Sequence, residues 1–265
     1  MSGAGYTALG FVLIFVATAA GAAVVFFFKK DISPRVNTLI LGFAAGIMIA
    51  ASIWSLIVPS LEGAEQTYGE DIYWIPAAVG IIVGGIFLTV LDKLVPHFHS
   101  GTSENEGKNA ANVNMSTKLF LAVTIHNIPE GLAAGVVFGA AAVVGTEAAY
   151  LSALVLAIGM AVQNFPEGIA VALPLHAATG SKVKAFLYGA ASGIVEPVFA
   201  LVGYFLTSFV EVLQPWLLAF AAGAMLFVVA EDLIPDAKLQ DNPHLGTWGV
   251  VAGFVLMMVL DVVLG

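Results

Sequence analysis

Residues 126–131 read HNIPEG and residues 163–168 read QNFPEG, two polar clusters set in runs of Leu, Val, Ala and Gly. Imidazole, amide and carboxylate groups at this spacing have the makings of a metal-ion site. Along a helix of about 100° per residue, with His126 at zero, Asn127 falls at about 100° and Glu130 at about 40°. The glutamate lies between its two neighbours, so one carboxylate can serve both. Gln163, Asn164 and Glu167 repeat the wedge. Pro129 and Pro166 lack an N–H and clash with the carbonyls of Ile125 and Val162, so each is expected to kink its helix where the helix faces protein or water. A lone proline in a membrane helix is commonly a packing kink; its recurrence between Asn and Glu ties it to the polar cluster. Gly131 and Gly168 would let the two helices approach closely.

Glu130, Glu167, Glu196, Glu231 and Asp232 all fall within predicted apolar spans, and no Lys or Arg falls well inside any span. A carboxylate in hydrocarbon needs a counter-charge or a proton. A bound cation supplies the first; neutral acids hydrogen-bonding within a helical bundle are the alternative, strongest for Glu231 and Asp232 at the end of their span. Imidazole beside carboxylate and amide oxygen favours Zn²⁺, Fe²⁺ or Mn²⁺ over Ca²⁺ or Na⁺, which prefer oxygen alone. The chain has no cysteine, so neither a thiolate ligand nor a disulfide exists. Met48 offers a soft thioether, or simply fills core.

The elements that must hold these groups are membrane helices. Of 265 residues, 60% are hydrophobic and 10% charged, and mean hydropathy is +0.97, far from a soluble domain with about 25% charged residues. Apolar runs long enough for a hydrocarbon core of about 30 Å lie near 7–27, 38–59, 73–91, 117–139, 149–174, 183–209, 213–235 and 247–264. The class expected is an all-α integral membrane protein of eight spans, a single domain over 1–265. A content of 28 Gly suits close helix packing in lipid. No Lys or Arg precedes the first run, and Lys29 and Lys30 follow it, so it is expected to stay as an uncleaved anchor.

All nine Lys and Arg residues fall in the loops after spans one, three, five and seven. The positive-inside rule makes those loops cytoplasmic and puts both termini outside. The opposite loops carry Glu62, Glu65, Glu70, Asp71, Glu147 and Glu211, so the net charge of −9 is no sign of a nucleic-acid partner. One polar stretch, about 93–116, is rich in Gly, Ser, Asn and Glu and is expected to be a flexible cytoplasmic loop. Its His97 and His99 are either transient metal contacts or merely solvated.

Two internal echoes order the spans. HNIPEGLA (126–133) returns as QNFPEGIA (163–170) on spans four and five, and FAAGIM (43–48) returns as FAAGAM (220–225) on spans two and seven. A tandem duplication would pair span two with span six. Pairing two with seven, and four with five, predicts a 3+2+3 inverted repeat, an architecture that places substrate near the midplane.

Together with SGIVEP (192–197), LDKLVPHFH (91–99) and EDLIP (231–235), the two motifs resemble the ZIP (Zrt-, Irt-like) family of divalent metal transporters over essentially the whole chain. That resemblance implies eight spans, outward termini, a homodimer in the cell (plasma or inner) membrane, and movement of Zn²⁺ or a related ion such as Fe²⁺, Mn²⁺ or Cd²⁺ toward the cytoplasm. It implies that Met48, His126, Glu130, Gln163 and Glu167 bind one ion, and that Asn127, Asn164 and Glu196 complete an adjacent second site bridged by Glu130 and Glu167. Ser52 would line the outer mouth of the path, with Glu231, Asp232, His97 and His99 along the route inward. Zinc is cargo here, and no prosthetic group is implied. Gln163 stands where many relatives have His, as in the GufA-like branch, and Asn164 where some have Asp, which bears on selectivity and on the charge of the second site.

Cation/Ca²⁺ exchangers also pair Asn-x-Pro-Glu-like motifs on inverted repeats, but His126 argues against a hard cation. An intramembrane metalloprotease would need HExxH, and that motif is absent. The expectation is a divalent metal uptake protein, not an enzyme.

Overall fold

In lipid, a continuous apolar run satisfies its own backbone only as a helix, and helices are what these runs form. The computed structural model describes residues 1–27, 33–95, 115–209, 211–238 and 243–264, and contains no strand among them. The helices are α1 (Gly3–Ala23), α2 (Pro34–Ala51), α3 (Val58–Tyr68), α4 (Trp74–Leu94), α5 (Met115–Val144), α6 (Glu147–Thr179), α7 (Lys182–Gly193), α8 (Val195–Phe209), α9 (Gln214–Val228), α10 (Ile234–Lys238) and α11 (Pro243–Leu264). They compose eight helices long and apolar enough to cross a membrane: Gly3–Phe26, Thr38–Tyr68, Trp74–Leu94, Val123–Val144, Glu147–Leu173, Lys182–Thr207, Gln214–Leu233 and His244–Val263. The chain is a multi-pass membrane protein. Span two runs on to Tyr68 where the apolar run ended near residue 59. His97 and His99, with most of the expected 93–116 loop, lie outside the described residues.

Side-chain oxygens start several of these helices. Ser2 accepts from the Gly5 N–H at 3.2 Å, and Thr146 from Ala149 at 3.3 Å, which satisfies amide groups the first turn leaves without partners. Prolines outside the two motifs mark places where the regular α-helix is interrupted. α5 and α6 remain helical through Pro129 and Pro166. Instead, π-helical turns occupy Ser52–Ile57 and Val229–Leu233, ahead of Pro59 and Pro235, and span six breaks between Gly193 and Val195, ahead of Pro197. A proline ring displaces the carbonyl four residues earlier. Those carbonyls belong to Ser55, Glu231 and Gly193, and each lies in an irregular turn or at a helix end.

Packing follows a pattern of exchanged partners. α2 packs along α11 and α4 along α9; α1 packs along α6 and α5 along α8. Glycines permit the close crossings. Gly84 lies against the Phe220 carbonyl and Gly253 against that of Phe43, the matching first residues of FAAGAM and FAAGIM. Likewise Gly131 lies against the Glu196 carbonyl and Gly168 against that of Thr18, so matching glycines of the two Asn-x-Pro-Glu-Gly motifs touch spans six and one. The main apolar core runs through this bundle from Phe11 and Ile14 to Met225 and Met257.

Candidate metal centre

Spans four and five form a tight hairpin. Gly145, at φ +71°, takes the left-handed backbone that a side chain would disfavour, and Thr146 caps the next helix at once. The return brings both polar clusters to one level. Gln163 Nε2 donates to Glu130 Oε1 across the pair. Each asparagine reaches outward to a flanking span: Asn127 Nδ2 donates to the Ser192 carbonyl at 3.0 Å, and Asn164 Nδ2 to the Ile14 carbonyl at 3.4 Å. Ser192 and Ile14 stand four residues before Glu196 and Thr18, so the two asparagine contacts match as the glycine contacts do.

Glu196 joins from span six. The break ahead of Pro197 puts it in the first turn of α8, where a carboxylate is favoured by the helix dipole. Its Oε2 accepts from Asn164 at 2.8 Å and its Oε1 from the Thr18 hydroxyl at 2.7 Å. Glu130, Gln163, Asn164, Asn127 and Glu196 are all buried. Glu167 is half-buried and lies close to His126 and Gln163. Glu130, Glu167 and Glu196 stand near enough to repel one another.

His126 turns toward span seven. Its Nε2 lies 2.9 Å from Asp232 Oδ2, and Asp232 is carried on the second π turn. Neighbouring Glu231 is exposed. Met48 is fully buried in the main apolar core, and its carbonyl accepts the hydroxyl of buried Ser52 at 2.7 Å.

Within this cluster of spans four and five, three buried oxygens have no hydrogen-bond partner among the described residues: Glu130 Oε2, Gln163 Oε1 and Asn164 Oδ1. Residues 119–181 contain no Lys or Arg. Buried acceptors left without donors are costly, and here they sit beside three carboxylates. A cation, or protons on the carboxylates, would meet that cost. As arranged, the carboxylates are turned onto the site's own amides and hydroxyl, and among the described residues no three His, Asp or Glu side chains converge as a ready ligand set.

A cavity of about 370 Å³ opens where spans two, four, five, seven and eight meet, beyond Ser52. Trp54, Ser55, Glu62, Ser152, Gln214 and Asp261 help line it. Ser55 Oγ donates to Asp261 Oδ1 at 2.7 Å, while Asp261 Oδ2 has no partner among the described residues. Ser55 lies on the first π turn.

Comparison with known proteins places the chain in a family. The sequence model of the family described as "ZIP Zinc transporter" matches residues 4–118 and 103–261. The chain belongs to the ZIP family. Among curated relatives, "Zinc transporter ZIP11" of Xenopus tropicalis is 38% identical, covering 97% of this chain and 96% of the relative. "Zinc transporter ZIPB" of Bordetella bronchiseptica is 40% identical, covering 98% and 82%, and "Zinc transporter GufA" of Myxococcus xanthus is 36% identical, covering 89% and 90%. For this ZIP chain, sequence reasoning passed over Thr18, Ser55 and Asp261. Asp261 carries the same signal as the other intramembrane acids, an ionisable group in an apolar run; Thr18 carries none.

Proposed function

We propose that the chain carries zinc or a related divalent transition metal across the membrane toward the cytoplasm, through a site between spans four and five. The observation that carries this is the set of partnerless buried oxygens on Glu130, Gln163 and Asn164, beside three carboxylates and with no cationic side chain in residues 119–181. A bound cation meets both needs: it neutralises carboxylates that would otherwise take up protons, and it contacts the partnerless oxygens. His126 gives the site its preference for a borderline metal, and the names of the relatives agree. Met48, His126, Glu130, Gln163 and Glu167 ligate one ion; Asn127, Asn164 and Glu196 complete a second, adjacent position. The family of transporters to which the chain belongs gives no support to an enzymatic role.

The ion is drawn into the cavity lined by Asp261 and Glu62, sheds water, binds between spans four and five, and leaves past Asp232 and Glu231. The loops bearing Lys and Arg face the cytoplasm, and both termini lie outside. The exchanged glycine and asparagine contacts support a 3+2+3 inverted repeat, in which spans four and five move relative to the rest. The protein works as a homodimer in the cell membrane.

The test is Zn²⁺ influx into proteoliposomes containing a trapped fluorescent indicator, with Glu167→Ala and Ca²⁺ as comparisons. Saturable Zn²⁺ influx that Glu167→Ala abolishes, with little Ca²⁺ influx, is expected. Ca²⁺ influx without Zn²⁺ influx would replace this mechanism with an exchanger.

A further inference from the structure

Thr18 lies in a run of small apolar residues on span one, outside both motifs. Its place in the fold is the counterpart of Glu196. Gly168 packs on the Thr18 carbonyl as Gly131 packs on that of Glu196, and Asn164 and Asn127 reach the carbonyls one turn before each. Where span six brings a carboxylate, span one brings a hydroxyl, and the two meet at 2.7 Å. Asn164 holds the other oxygen of Glu196 at 2.8 Å. Both oxygens of a fully buried carboxylate are therefore held by neutral donors from two different helices. Gly193 makes the room, since a Cβ there would stand 3.0 Å from Thr18 Cβ and 3.5 Å from Glu196 Oε1. The Thr18 hydroxyl also lies 3.3 Å from the Ile14 carbonyl; its single proton serves one acceptor at a time, and the contact with Glu196 is the shorter.

We propose that Thr18 is a positioning and specificity-determining residue of the ion site, acting through Glu196. Resting on the ion site inferred above, it has its own consequence. Thr18 and Asn164 fix the carboxylate plane, and each oxygen keeps a second lone pair for an ion. A carboxylate fixed in this way suits an ion such as Zn²⁺, which makes few and short bonds. Ca²⁺, with six to eight longer and more variable contacts, gains less from it.

The experiment measures Zn²⁺ dissociation constants on the purified full-length protein by competition with a fluorescent chelator. It compares the unmodified chain with Thr18→Val, Thr18→Ala and Thr18→Ser, and places Thr18→Val in a Glu196→Ala background, with thermal unfolding in parallel. Loss of the hydroxyl in Val or Ala is expected to weaken Zn²⁺ binding about tenfold, the scale on which partners of metal ligands act, while Ser stays within about twofold. Calcium binding is expected to change less than zinc binding. With Glu196 removed, Thr18→Val is expected to have no further effect. Unchanged Zn²⁺ affinity in Val or Ala overturns the proposal, as does an equal loss with and without Glu196. Should Glu167→Ala bind and transport Zn²⁺ like the unmodified chain, the ion site itself falls, a separate result from either of these.

Discussion

Asp232→Asn is expected to tighten Zn²⁺ binding while slowing its release. His126 Nε2 lies 2.9 Å from Asp232 Oδ2, with side chains 20% and 8% exposed, so most of the contact is shielded from water. An imidazole nitrogen engaged by Asp232 cannot ligate an ion, and binding through it must first break that contact. A hydrogen bond to a charged group contributes about 1.5–3 kcal/mol and a neutral one about 0.5–1.5 kcal/mol. The isosteric amide therefore weakens the competing contact by about 1 kcal/mol, about fivefold in dissociation constant. The same change removes an acidic acceptor on the inward side, so the maximal influx rate falls. Chelator competition gives the affinity, and initial rates in proteoliposomes give the flux. Weaker binding, on the scale of His126→Ala, would refute the reasoning and make Asp232 a ligand instead of a competitor.

Three further outcomes are expected. Gly84→Ala and Gly253→Ala each drive a Cβ into a facing backbone, at Phe220 and Phe43, so each should cost about 1–3 kcal/mol and lower the unfolding midpoint in detergent; a large effect from one and none from the other would contradict their equivalence. Asp261→Asn should raise the KM for Zn²⁺ at low salt without lowering the maximal rate, and the difference should shrink at high salt as the ion's attraction is screened; an unchanged KM at low salt would remove Asp261 from the path. Influx should fall as pH on both sides is lowered from about 7.5 to about 5.5, because protonated imidazole and carboxyl groups do not bind metal and protons compete for the site; a flat or rising profile would show that these ligands are not rate-determining.

Much of this was legible in the sequence because lipid leaves few alternatives. Apolar runs of sufficient length must become helices, and HNIPEG and QNFPEG show their wedge at helical spacing without any tertiary information. The irregular turns were not legible. Every proline lacks an N–H, yet Pro129 and Pro166 lie within continuous helices while Pro59, Pro197 and Pro235 come just after π turns or a break. That outcome depends on what packs around the displaced carbonyl. It matters for function, because the π turns carry Ser55 to Asp261 and Asp232 to His126. Ser52 and Ser55 are three residues apart, yet Ser52 is satisfied by its own helix and Ser55 reaches span eight. Thr18 was hidden for a different reason: a threonine in a helix normally bonds the carbonyl four residues back, and only the fold brings Glu196 to it.

On the proposed inverted repeat, the backbone around the site is close to symmetric while its side chains are not. His126 matches Gln163, and Thr18 matches Glu196. A pair of equivalent half-sites would offer an ion two similar positions. On the proposed ion site, the substitutions instead give one position imidazole and the other a carboxylate held by Thr18 and Asn164, so the two would differ in ligand chemistry and in rigidity. Such asymmetry cannot set the direction of net flux, which is fixed by the driving forces on the transported species. On the proposed path, the contacts an ion would have to break are Ser55 with Asp261 beside the cavity, Gln163 with Glu130 between spans four and five, and His126 with Asp232 at the second π turn. Each is a hydrogen bond to a carboxylate that an arriving cation can replace, and a site built from such contacts can hold a metal and still release it.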